Sequence, residues 1–430
     1  MKVLVLGGYG LIGTAITRKL LRVGHAVTGL GRSARKGRMA APAADWIEAD
    51  LSRLLTTDDW RALLSGFDAV INASGALQDG LRDRVAAVQS QSIQALIGAC
   101  EQAGVRTFVQ ISAPGAGPEA DTAFFRTKGE ADRALKASGL RWVIFRPGLV
   151  LSPHAYGGTA LLRQLAAFPL VQPLVLAGSR IQTVHVNDVA QAVSLALEQD
   201  LTAIDADLVE PEAHRLEDLV ARVRLWLGFR PARAVLKLPV WAGRTLSLFA
   251  DIGGWLGWRS PLQSTALKVL QSDVRGDPTV WEAASGQGLR GLDASLQDLH
   301  STLQERIYAR AMLVFPVLLL TLSLFWVLSG VIGLVRSETA LAVLDGALPA
   351  PLAGAAVIGG GLADCAIGAA LLFRPFTRLA CAAAIGLSAA YLAGATLFVP
   401  DLWLDPLGPM VKVLPAMALA LVTAALTEER

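Results

Sequence analysis

Residues 1–210 alternate short, wholly apolar runs with longer stretches in which apolar positions recur at helical spacing. Such short runs, bounded by glycine and polar residues, are typical of strands buried on both faces of a parallel sheet. They predict strands at Lys2–Leu6, Ala26–Gly31, Trp46–Glu48, Ala69–Asn72, Thr107–Ser112 and Arg141–Arg146. The stretches between them predict helices, including Leu11–Val23, Val85–Gln102 and Lys128–Ala137. The alternation predicts βαβ units in a doubly wound α/β parallel sheet.

The last 120 residues follow a different pattern, with long apolar stretches that contain almost no charge. They predict membrane-spanning helices at Ala311–Val335, Ala347–Phe373, Leu379–Val399 and Val411–Leu426. About 20 apolar residues in a helix are enough to cross the hydrocarbon core of a bilayer. We therefore expect an all-α four-helix transmembrane bundle at residues 306–430, in preference to a soluble helical core. Residues 1–305 form the other expected domain, with a core at 1–210 and a substrate-side region at 211–305.

Composition sharpens this division. The chain has 430 residues, of which 53% are hydrophobic and 17% charged, but residues 311–430 carry only 12 of the charged residues and residues 1–310 carry 63. No basic run is interleaved with aromatic residues, so nucleic-acid binding is not expected. The three cysteines form no CxxC pair and the five histidines are scattered, so no metal site is expected. The apolar run after Lys2 is too short for a signal peptide.

Two segments between these parts remain open from the sequence alone. Leu238–Trp258 is rich in tryptophan and aliphatic residues, but Arg244 and Asp251 make it a poor membrane span. It is either an interfacial helix with aromatic anchors or a helix that covers the substrate side of the first domain. Leu289–Arg310 is amphipathic and is expected to join the two parts.

The turn after the first predicted strand carries Gly7, Gly10 and Gly13 in a GxxGxxG pattern, immediately before a helix. Glycines permit a tight turn and a close approach of the backbone to a pyrophosphate, and the amides of Leu11, Ile12 and Gly13 would face that anion. A turn that merely packs a helix on a sheet is the alternative. The position at the head of a chain of βαβ units favours dinucleotide binding.

The end of the second predicted strand bears on the choice of cofactor. No acidic residue occurs between Gly13 and Asp45, whereas an NAD site often has one about 20 residues after the glycines. Arg32 follows the strand instead, with three further basic residues within the next six positions. Because arginine can pair with a 2′-phosphate, NADP(H) is preferred over NAD(H). A solvated basic loop is the alternative.

Several ordered motifs resemble those of atypical or extended short-chain dehydrogenases/reductases, especially NmrA-like proteins and the Rossmann-type accessory subunit of respiratory complex I. Besides the glycine turn, these are Asp50-Leu51, Ala73-Ser74-Gly75, Ser112, Pro147-Gly148-Leu149-Val150 and the stretch 184–190. The resemblance implies a Rossmann fold in which these residues, apart from 184–190, and Lys128 contact the cofactor. It also implies catalytic roles for Ser112 and Lys128.

One position departs from the family pattern. The family has Tyr-x-x-x-Lys, but this chain has Phe124 four residues before Lys128. In the family the phenol exchanges a proton while hydride moves, and phenylalanine has no titratable group. Lys128 could still hydrogen-bond the nicotinamide ribose, and Tyr156 is a candidate for a displaced acid outside the motif. The missing phenol puts carbonyl–alcohol catalysis in doubt, whereas nucleotide binding is unaffected.

Residues 309–428 resemble DoxX-like membrane domains. The matching stretches are Phe325-Trp326-x-x-Ser329-Gly330, Asp364-x-x-x-Gly368 and Pro400–Pro409. The resemblance implies membrane redox chemistry and quinone-coupled oxidation. Asp364 would lie near the middle of the membrane, where an ionisable residue is a candidate for function. It could be protonated, pair with Arg310 or Lys412, contact a quinone, or be a neutral group that bonds a neighbouring helix.

Charges beside the predicted spans indicate the orientation. Four basic residues lie on the side of the first domain, and two lie on the other side with four acidic residues. The positive-inside rule then places the first domain and both termini in the cytoplasm, with the chain as a multi-pass protein of the inner, cytoplasmic membrane.

Two functions are therefore expected as alternatives. One is an oxidoreductase of short-chain dehydrogenase type that acts on a lipid-soluble partner such as a quinone. The other is a non-catalytic nucleotide-binding subunit or redox sensor. A non-redox activity such as isomerisation is also compatible with the scaffold. Beyond the lipid bilayer, a homo-oligomer or a membrane complex is an expected setting.

Overall fold

The computed structural model describes residues 1–75, 85–258 and 260–427. The chain divides into two compact units. The first comprises Met1–Gly254 and Ser260–Arg306, and the second comprises Trp255–Arg259 and Ile307–Arg430.

A seven-stranded, all-parallel sheet forms the centre of the first unit. Numbered along the chain, the strands are β1 (Lys2–Leu6), β2 (Ala26–Gly31), β3 (Asp45–Glu48), β4 (Ala69–Asn72), β5 (Thr107–Ile111), β6 (Arg141–Pro147), β7 (Leu149–Leu151), β8 (Val171–Val175), β9 (Arg180–Ile181), β10 (Thr183–His185), β11 (Ile204–Leu208), β12 (His214–Arg215) and β13 (Ala234–Leu238). The order in the large sheet is β11-β6-β5-β4-β1-β2-β3.

The strand order reverses at β1, which pairs with β2 on one side and β4 on the other. In open parallel sheets, ligands bind in the crevice beyond the carboxyl ends of the strands at such a switch point. Leu6 and Asn72, the last residues of β1 and β4, are partners in register. The residues that follow them therefore flank this position.

Helices cover both faces of the sheet. Those of the first unit are α1 (Leu11–Arg22), α2 (Ala34–Ala40), α3 (Thr57–Leu64), α4 (Ser92–Ala103), α5 (Ala123–Lys136), α6 (Gly158–Ala166), α7 (Val186–Glu198), α8 (Leu216–Trp226), α9 (Val240–Trp255), α10 (Ser264–Gln271), α11 (Thr279–Ser285) and α12 (Leu292–Asp298). Alternate residues of β1 enter opposite cores: Val3 and Val5 pack with α1 and α7, while Leu4 and Leu6 pack with α3, α4 and α5. The predicted doubly wound sheet is confirmed.

Some predicted boundaries differ from the structure. The region predicted as one helix at Val85–Gln102 contains a π-helical turn, Ala87–Gln91, before α4. The helix predicted at Lys128 begins at Ala123, because the Thr122 side chain caps it by accepting a hydrogen bond from the amide of Phe125. Leu289–Arg310 is divided between α12 and the first turns of the next helix.

The second unit is helical. Its helices are α13 (Leu303–Val335), which begins in the last residues of the first unit, α14 (Ser337–Val343), α15 (Ala350–Leu372), α16 (Thr377–Phe398) and α17 (Pro409–Leu426). Among the described residues, α13, α15, α16 and α17 are long and apolar enough to cross a membrane. The expected helical region with four apolar helices is confirmed. The 33 residues of α13 would extend about 50 Å at 1.5 Å per residue, well beyond a hydrocarbon core of about 30 Å.

Candidate functional site

The glycine turn follows β1 and leaves no room for side chains. Gly7 has a φ of +67°, and a Cβ atom there would lie 2.9 Å from the carbonyl oxygen of Ala73 after β4. A Cβ atom on Gly13 would lie 2.1 Å from the carbonyl oxygen of Gly7. The amide of Gly10 donates to that same oxygen at 2.8 Å, which closes the turn. These contacts require glycine and bring backbone atoms to the surface of the crevice.

The turn delivers the chain into α1 with Gly10 as the N-cap. Within the described chain no side chain caps this end, and no acidic residue lies in its first turn. An uncapped helix N-terminus offers backbone N–H donors and a positive dipole end to an anion. The predicted residues Leu11, Ile12 and Gly13 form this first turn. The arrangement therefore fits the pyrophosphate of a dinucleotide.

The loop after β4 is held by two side-chain amides. The Asn72 amide donates to Gln110 Oε1 at 2.9 Å, which joins the ends of β4 and β5. Asn72 Oδ1 accepts hydrogen bonds from the amide of Ser74 at 3.0 Å and from its hydroxyl. These bonds fix the path of the chain through Ala73 and Ser74 directly after β4.

Ser112, the first residue after β5, is buried and engaged. Its hydroxyl donates to Asp132 Oδ2 at 2.6 Å. Arg146 on β6 contacts the same oxygen at 3.3 Å and also pairs with Asp205 on β11. Burial raises the pKa of Asp132, while the hydrogen bond from Ser112 and the nearby Arg146 oppose that rise. Ser112 thus belongs to a buried polar network, and its donor proton is committed within it.

Lys128 lies on α5, four residues before Asp132, and is buried. Its ammonium donates to the carbonyl oxygen of Ile111 at 2.8 Å. It also lies 3.6 Å from the position that a Cβ atom on Gly75 would take. Burial lowers the pKa of Lys128 to about 8, although Asp132 partly opposes the shift. The structure therefore brings the loop after β4, the end of β5 and Lys128 together.

Phe124 occupies the first turn of α5 beside Lys128. The ammonium is 5.9 Å from the centre of its ring, within the range of a cation–π interaction. Tyr156 is exposed in the loop before α6, and its amide donates to Thr159 Oγ1 at 3.0 Å. Thr159 lies in the first turn of α6, so this contact joins Tyr156 to the start of that helix.

The predicted contacts of the adenosine half of the cofactor lie after β2 and β3. Arg32 is exposed directly after β2. The amide of Ala34, at the start of α2, donates to Glu48 Oε2 at 2.9 Å, so the end of β3 brings one carboxylate to this loop. Asp50 Oδ1 accepts hydrogen bonds from the amide and hydroxyl of Ser52, and Leu51 packs in the core.

Two aromatic residues shape the same region and were missed from the sequence. A Cβ atom on Gly31 would lie 2.4 Å from the Tyr9 ring, and one on Gly37 would lie 2.2 Å from the Trp46 ring. The two ring centres are 5.9 Å apart. Tyr9 and Trp46 therefore fill the space that these glycines leave beside the basic loop.

The end of β6 forms the remaining predicted segment. The amide of Gly148 donates to Leu208 O at 3.0 Å and that of Leu149 to Gln182 O at 3.0 Å. A Cβ atom on Gly148 would lie 2.5 Å from Gln182 O. Pro147 is buried, while Leu149 and Val150 are half-buried in β7. This segment follows the strand that adjoins β5, so it lies at the same edge of the sheet as Ser112.

Asp364, the candidate in the second unit, is buried on α15 between two neighbouring helices. It accepts hydrogen bonds from the Ser329 hydroxyl on α13 and the Tyr391 hydroxyl on α16, both at 2.8 Å. A Cβ atom on Gly330 would lie 2.4 Å from Gly361 O, so α13 and α15 pack backbone against backbone. Asp364 thus ties three helices together.

Comparisons with known proteins agree with this geometry. Residues 7–200 match the family model described as NAD(P)H-binding, which defines the class of the first unit as an NAD(P)H-binding Rossmann domain. Residues 323–421 match the model of the DoxX-like family. The protein thus combines an NAD(P)H-binding, oxidoreductase-like domain with a DoxX-like membrane domain.

One curated relative is similar to part of the first unit. An NAD(P)H azoreductase from Xenophilus azovorans is 31% identical over 150 residues, which are 35% of this chain and 48% of that protein. The chain therefore spans about half the length of this relative.

Among solved structures, the triphenylmethane reductase of Citrobacter sp., complexed with NADP(H), has a TM-score of 0.54 at 13% identity, over 70% of this chain and 100% of that one. The structure of gox2253 has a TM-score of 0.53 at 20% identity, over 69% and 96%. At these identities the two structures show the fold alone.

Asp132 is a further site residue that the sequence analysis did not single out. Asp132 follows Lys128 by four positions, so both side chains lie on one face of α5. That spacing was visible in the sequence, but the partners of Asp132 come from β5 and β6 and needed the fold.

Proposed function

We propose that the protein is a membrane-bound NAD(P)H-dependent oxidoreductase that reduces a lipid-soluble acceptor such as a quinone, with NADP(H) preferred over NAD(H). The carrying observation is that Phe124 stands beside Lys128 in a crevice whose glycine turn still fits a dinucleotide. The nucleotide site supports redox chemistry. Because position 124 has no phenol, the acceptor must be one whose reduction needs no proton donor there.

The restriction follows from the charge left on the acceptor. Reduced nicotinamide, when bound, supplies a hydride. An aliphatic carbonyl that accepts a hydride becomes an alkoxide, whose conjugate acid is about as weak an acid as water. A quinone becomes a phenolate, whose conjugate acid resembles tyrosine, with a pKa of about 10. The quinone product can take its proton from solvent afterwards, so its reduction needs no phenol at position 124.

In the absence of the phenol, Lys128 is the residue that can bind the cofactor and stabilise charge on the acceptor. Its ammonium can hydrogen-bond the ribose next to the nicotinamide and balance negative charge that develops on an acceptor oxygen. We assign Ser112 to the wall of the acceptor pocket, since its donor proton goes to Asp132. The relative from Xenophilus azovorans is named as an azoreductase, and an azo group, like a quinone, differs from an aliphatic carbonyl.

The preference for NADP(H) is supported by Arg32. It is exposed directly after β2, where an arginine can pair with a 2′-phosphate. Glu48 at the same loop is engaged with the amide of Ala34.

The DoxX-like domain supplies the membrane setting. Tethering a reductase to the bilayer raises the effective concentration of an acceptor dissolved there. The charges beside the spans support a first domain and termini in the cytoplasm, which has a supply of reduced cofactor. Asp364 has both carboxylate oxygens engaged by hydroxyls of neighbouring helices, and we assign it a role in holding the bundle together.

A second candidate is a non-catalytic nucleotide-binding subunit or redox sensor. It is favoured by the same Phe124 and by the engaged Ser112, because together they remove the usual electrophilic groups from the site. Purified full-length protein in lipid nanodiscs separates the two. The reductase predicts oxidation of NADPH when a quinone is added, and the sensor predicts tight NADPH binding without turnover on quinone, azo or carbonyl acceptors.

A further inference from the structure

Helix α9 presents its large apolar side chains outward and its small residues inward. Its buried residues are Gly243, Ser247 and Gly254. A Cβ atom on Gly243 would lie 2.8 Å from Cγ1 of Val175, so the helix packs closely on β8. The inward face of α9 therefore packs on the first unit through small residues alone.

The opposite face carries a continuous apolar stripe. Trp241, Leu248, Ile252 and Trp255 are 70%, 60%, 50% and 72% exposed. They are separated by 7, 4 and 3 residues, so they lie within about 60° of one another around a helix with 3.6 residues per turn. Phe249 beside the stripe is 66% exposed.

This arrangement reverses the usual pattern of a helix at the surface of a globular protein, which turns its large apolar residues toward the core. Contiguous exposed apolar surface of this kind marks an interaction site. The surface continues from α9 onto β13, where Val235 and Leu236 are exposed, and onto the paired strand β8 at Val171.

Charge around this surface is mainly positive. Residues 230–258 contain four basic residues and one acidic residue, Asp251. One of the basic residues, Lys237, pairs with Glu217 at 2.8 Å, which leaves three against Asp251. Asp251 Oδ1 accepts a hydrogen bond from the amide of Ser264, which holds that carboxylate toward α10. An apolar stripe with basic residues nearby matches the boundary between anionic lipid headgroups and acyl chains.

The chain passes from α9 directly into the second unit, whose first segment is Trp255–Arg259. Trp255 is the last residue of α9, and Leu256 O accepts a hydrogen bond from the amide of Arg374 at 3.0 Å. The Trp258 indole donates to Leu372 O, at the end of α15, at 2.7 Å. The residues that directly follow α9 are therefore bonded to the end of a helix long enough to span a bilayer.

We propose that α9 and β13 form a lipid-binding surface that lies in the headgroup region of the bilayer, with Trp241, Leu248, Ile252 and Trp255 inserted toward the acyl chains. Tryptophan at both ends suits this boundary, where its ring is apolar and its N–H remains hydrated. The surface binds anionic phospholipid and does not depend on which reaction the first unit catalyses.

Quenching by lipid tests the proposal in the full-length protein, reconstituted in vesicles of phosphatidylcholine and phosphatidylglycerol. Leu248→Cys and Ile252→Cys are each made in a background where the three native cysteines are replaced by alanine, and are labelled with an environment-sensitive fluorophore. The vesicles carry nitroxide groups on their acyl chains. Met39→Cys, at a residue of α2 that is 73% exposed, serves as the matched control.

The proposal predicts quenching at least about three-fold stronger at both α9 positions than at Met39, because acyl chains reach only an inserted stripe. Equal quenching at all three positions would overturn it. A disulfide between two copies through Leu248→Cys under oxidant, together with weak quenching, would also overturn it and assign the surface to a second copy. Using two positions on the stripe protects the test against one variant that fails to fold.

Discussion

The ammonium of Lys128 lies 5.9 Å from the centre of the Phe124 ring, one helical turn earlier on α5. A buried cation therefore faces an aromatic ring that can stabilise its charge but cannot exchange a proton with it. In carbonyl reduction a tyrosine exchanges the proton and a lysine binds the cofactor. Here only the lysine is present, so only the second role is retained.

The pH dependence of turnover should report on Lys128. Burial lowers the pKa of its ammonium to about 8, so the charge is present below that pH and lost above it. If the charge stabilises a developing oxyanion, the rate of quinone reduction falls as pH rises through about 8. Lys128→Arg should move this fall to higher pH, because arginine stays protonated. Lys128→Met should be slow throughout, and identical pH profiles for wild type and Lys128→Arg would exclude this role.

Gly13→Ala should remove nucleotide binding. The new methyl group would lie 2.1 Å from Gly7 O, so the turn must open and the first amides of α1 must move. We expect the dissociation constant for NADPH to rise at least about 10-fold, which is a loss of about 1.4 kcal/mol of binding free energy. Nicotinamide fluorescence measures it. Gly98→Ala on α4 is the control, since its methyl group would meet only Thr57 Oγ1 at 3.7 Å. Equal binding by both variants would remove the steric basis of the site.

Arg32→Asp should discriminate between the two cofactors. Loss of a hydrogen bond to a charged group costs about 1.5–3 kcal/mol, or roughly 10- to 100-fold in affinity. NADPH binding should weaken by that factor while NADH binding changes little. Arg38→Asp, at an exposed position later in the same basic segment, controls for general charge reversal. Equal losses for both cofactors in Arg32→Asp would contradict a 2′-phosphate contact.

Asp364 should act as a link between helices. Asp364→Leu leaves the hydroxyls of Ser329 and Tyr391 without their acceptor, whereas Asp364→Asn keeps one acceptor oxygen. A double-mutant cycle with Tyr391→Phe should give a coupling free energy of about 0.6 kcal/mol and at most about 1.7 kcal/mol, the average and the maximum for hydrogen bonds between membrane helices. It is measured by unfolding in detergent. An Asp364→Asn protein that is fully stable but inactive would instead indicate a chemical role.

Much of the first unit could be predicted from the sequence because its strands are buried on both faces. The bounds of β1, β2 and β4 match the prediction, and glycine or polar residues end each run. The glycine turn was equally legible, since Gly7 and Gly13 are required by contacts within a few residues along the chain or with an adjacent strand.

Other features depended on partners that are distant in sequence. Asp132 is visible as a charge on α5, but its contacts with Ser112 and Arg146 arise only when three elements meet. The stripe of Trp241 and Ile252 was visible too, yet periodicity alone cannot say whether a core covers it. The structure shows that the buried face of α9 is the opposite one, which carries the small residues Gly243 and Gly254.

The most direct test is the rate of NADPH oxidation by full-length protein in nanodiscs, with a quinone and with an aliphatic ketone, for wild type and Phe124→Tyr. We predict that wild type reduces the quinone and not the ketone, because only the ketone needs a proton donor. Phe124→Tyr should raise ketone reduction, by about 10²-fold or more for a positioned acid, with little gain for the quinone. Tight binding of NADPH by wild type without oxidation by either acceptor, and no gain in Phe124→Tyr, would contradict the proposed reductase.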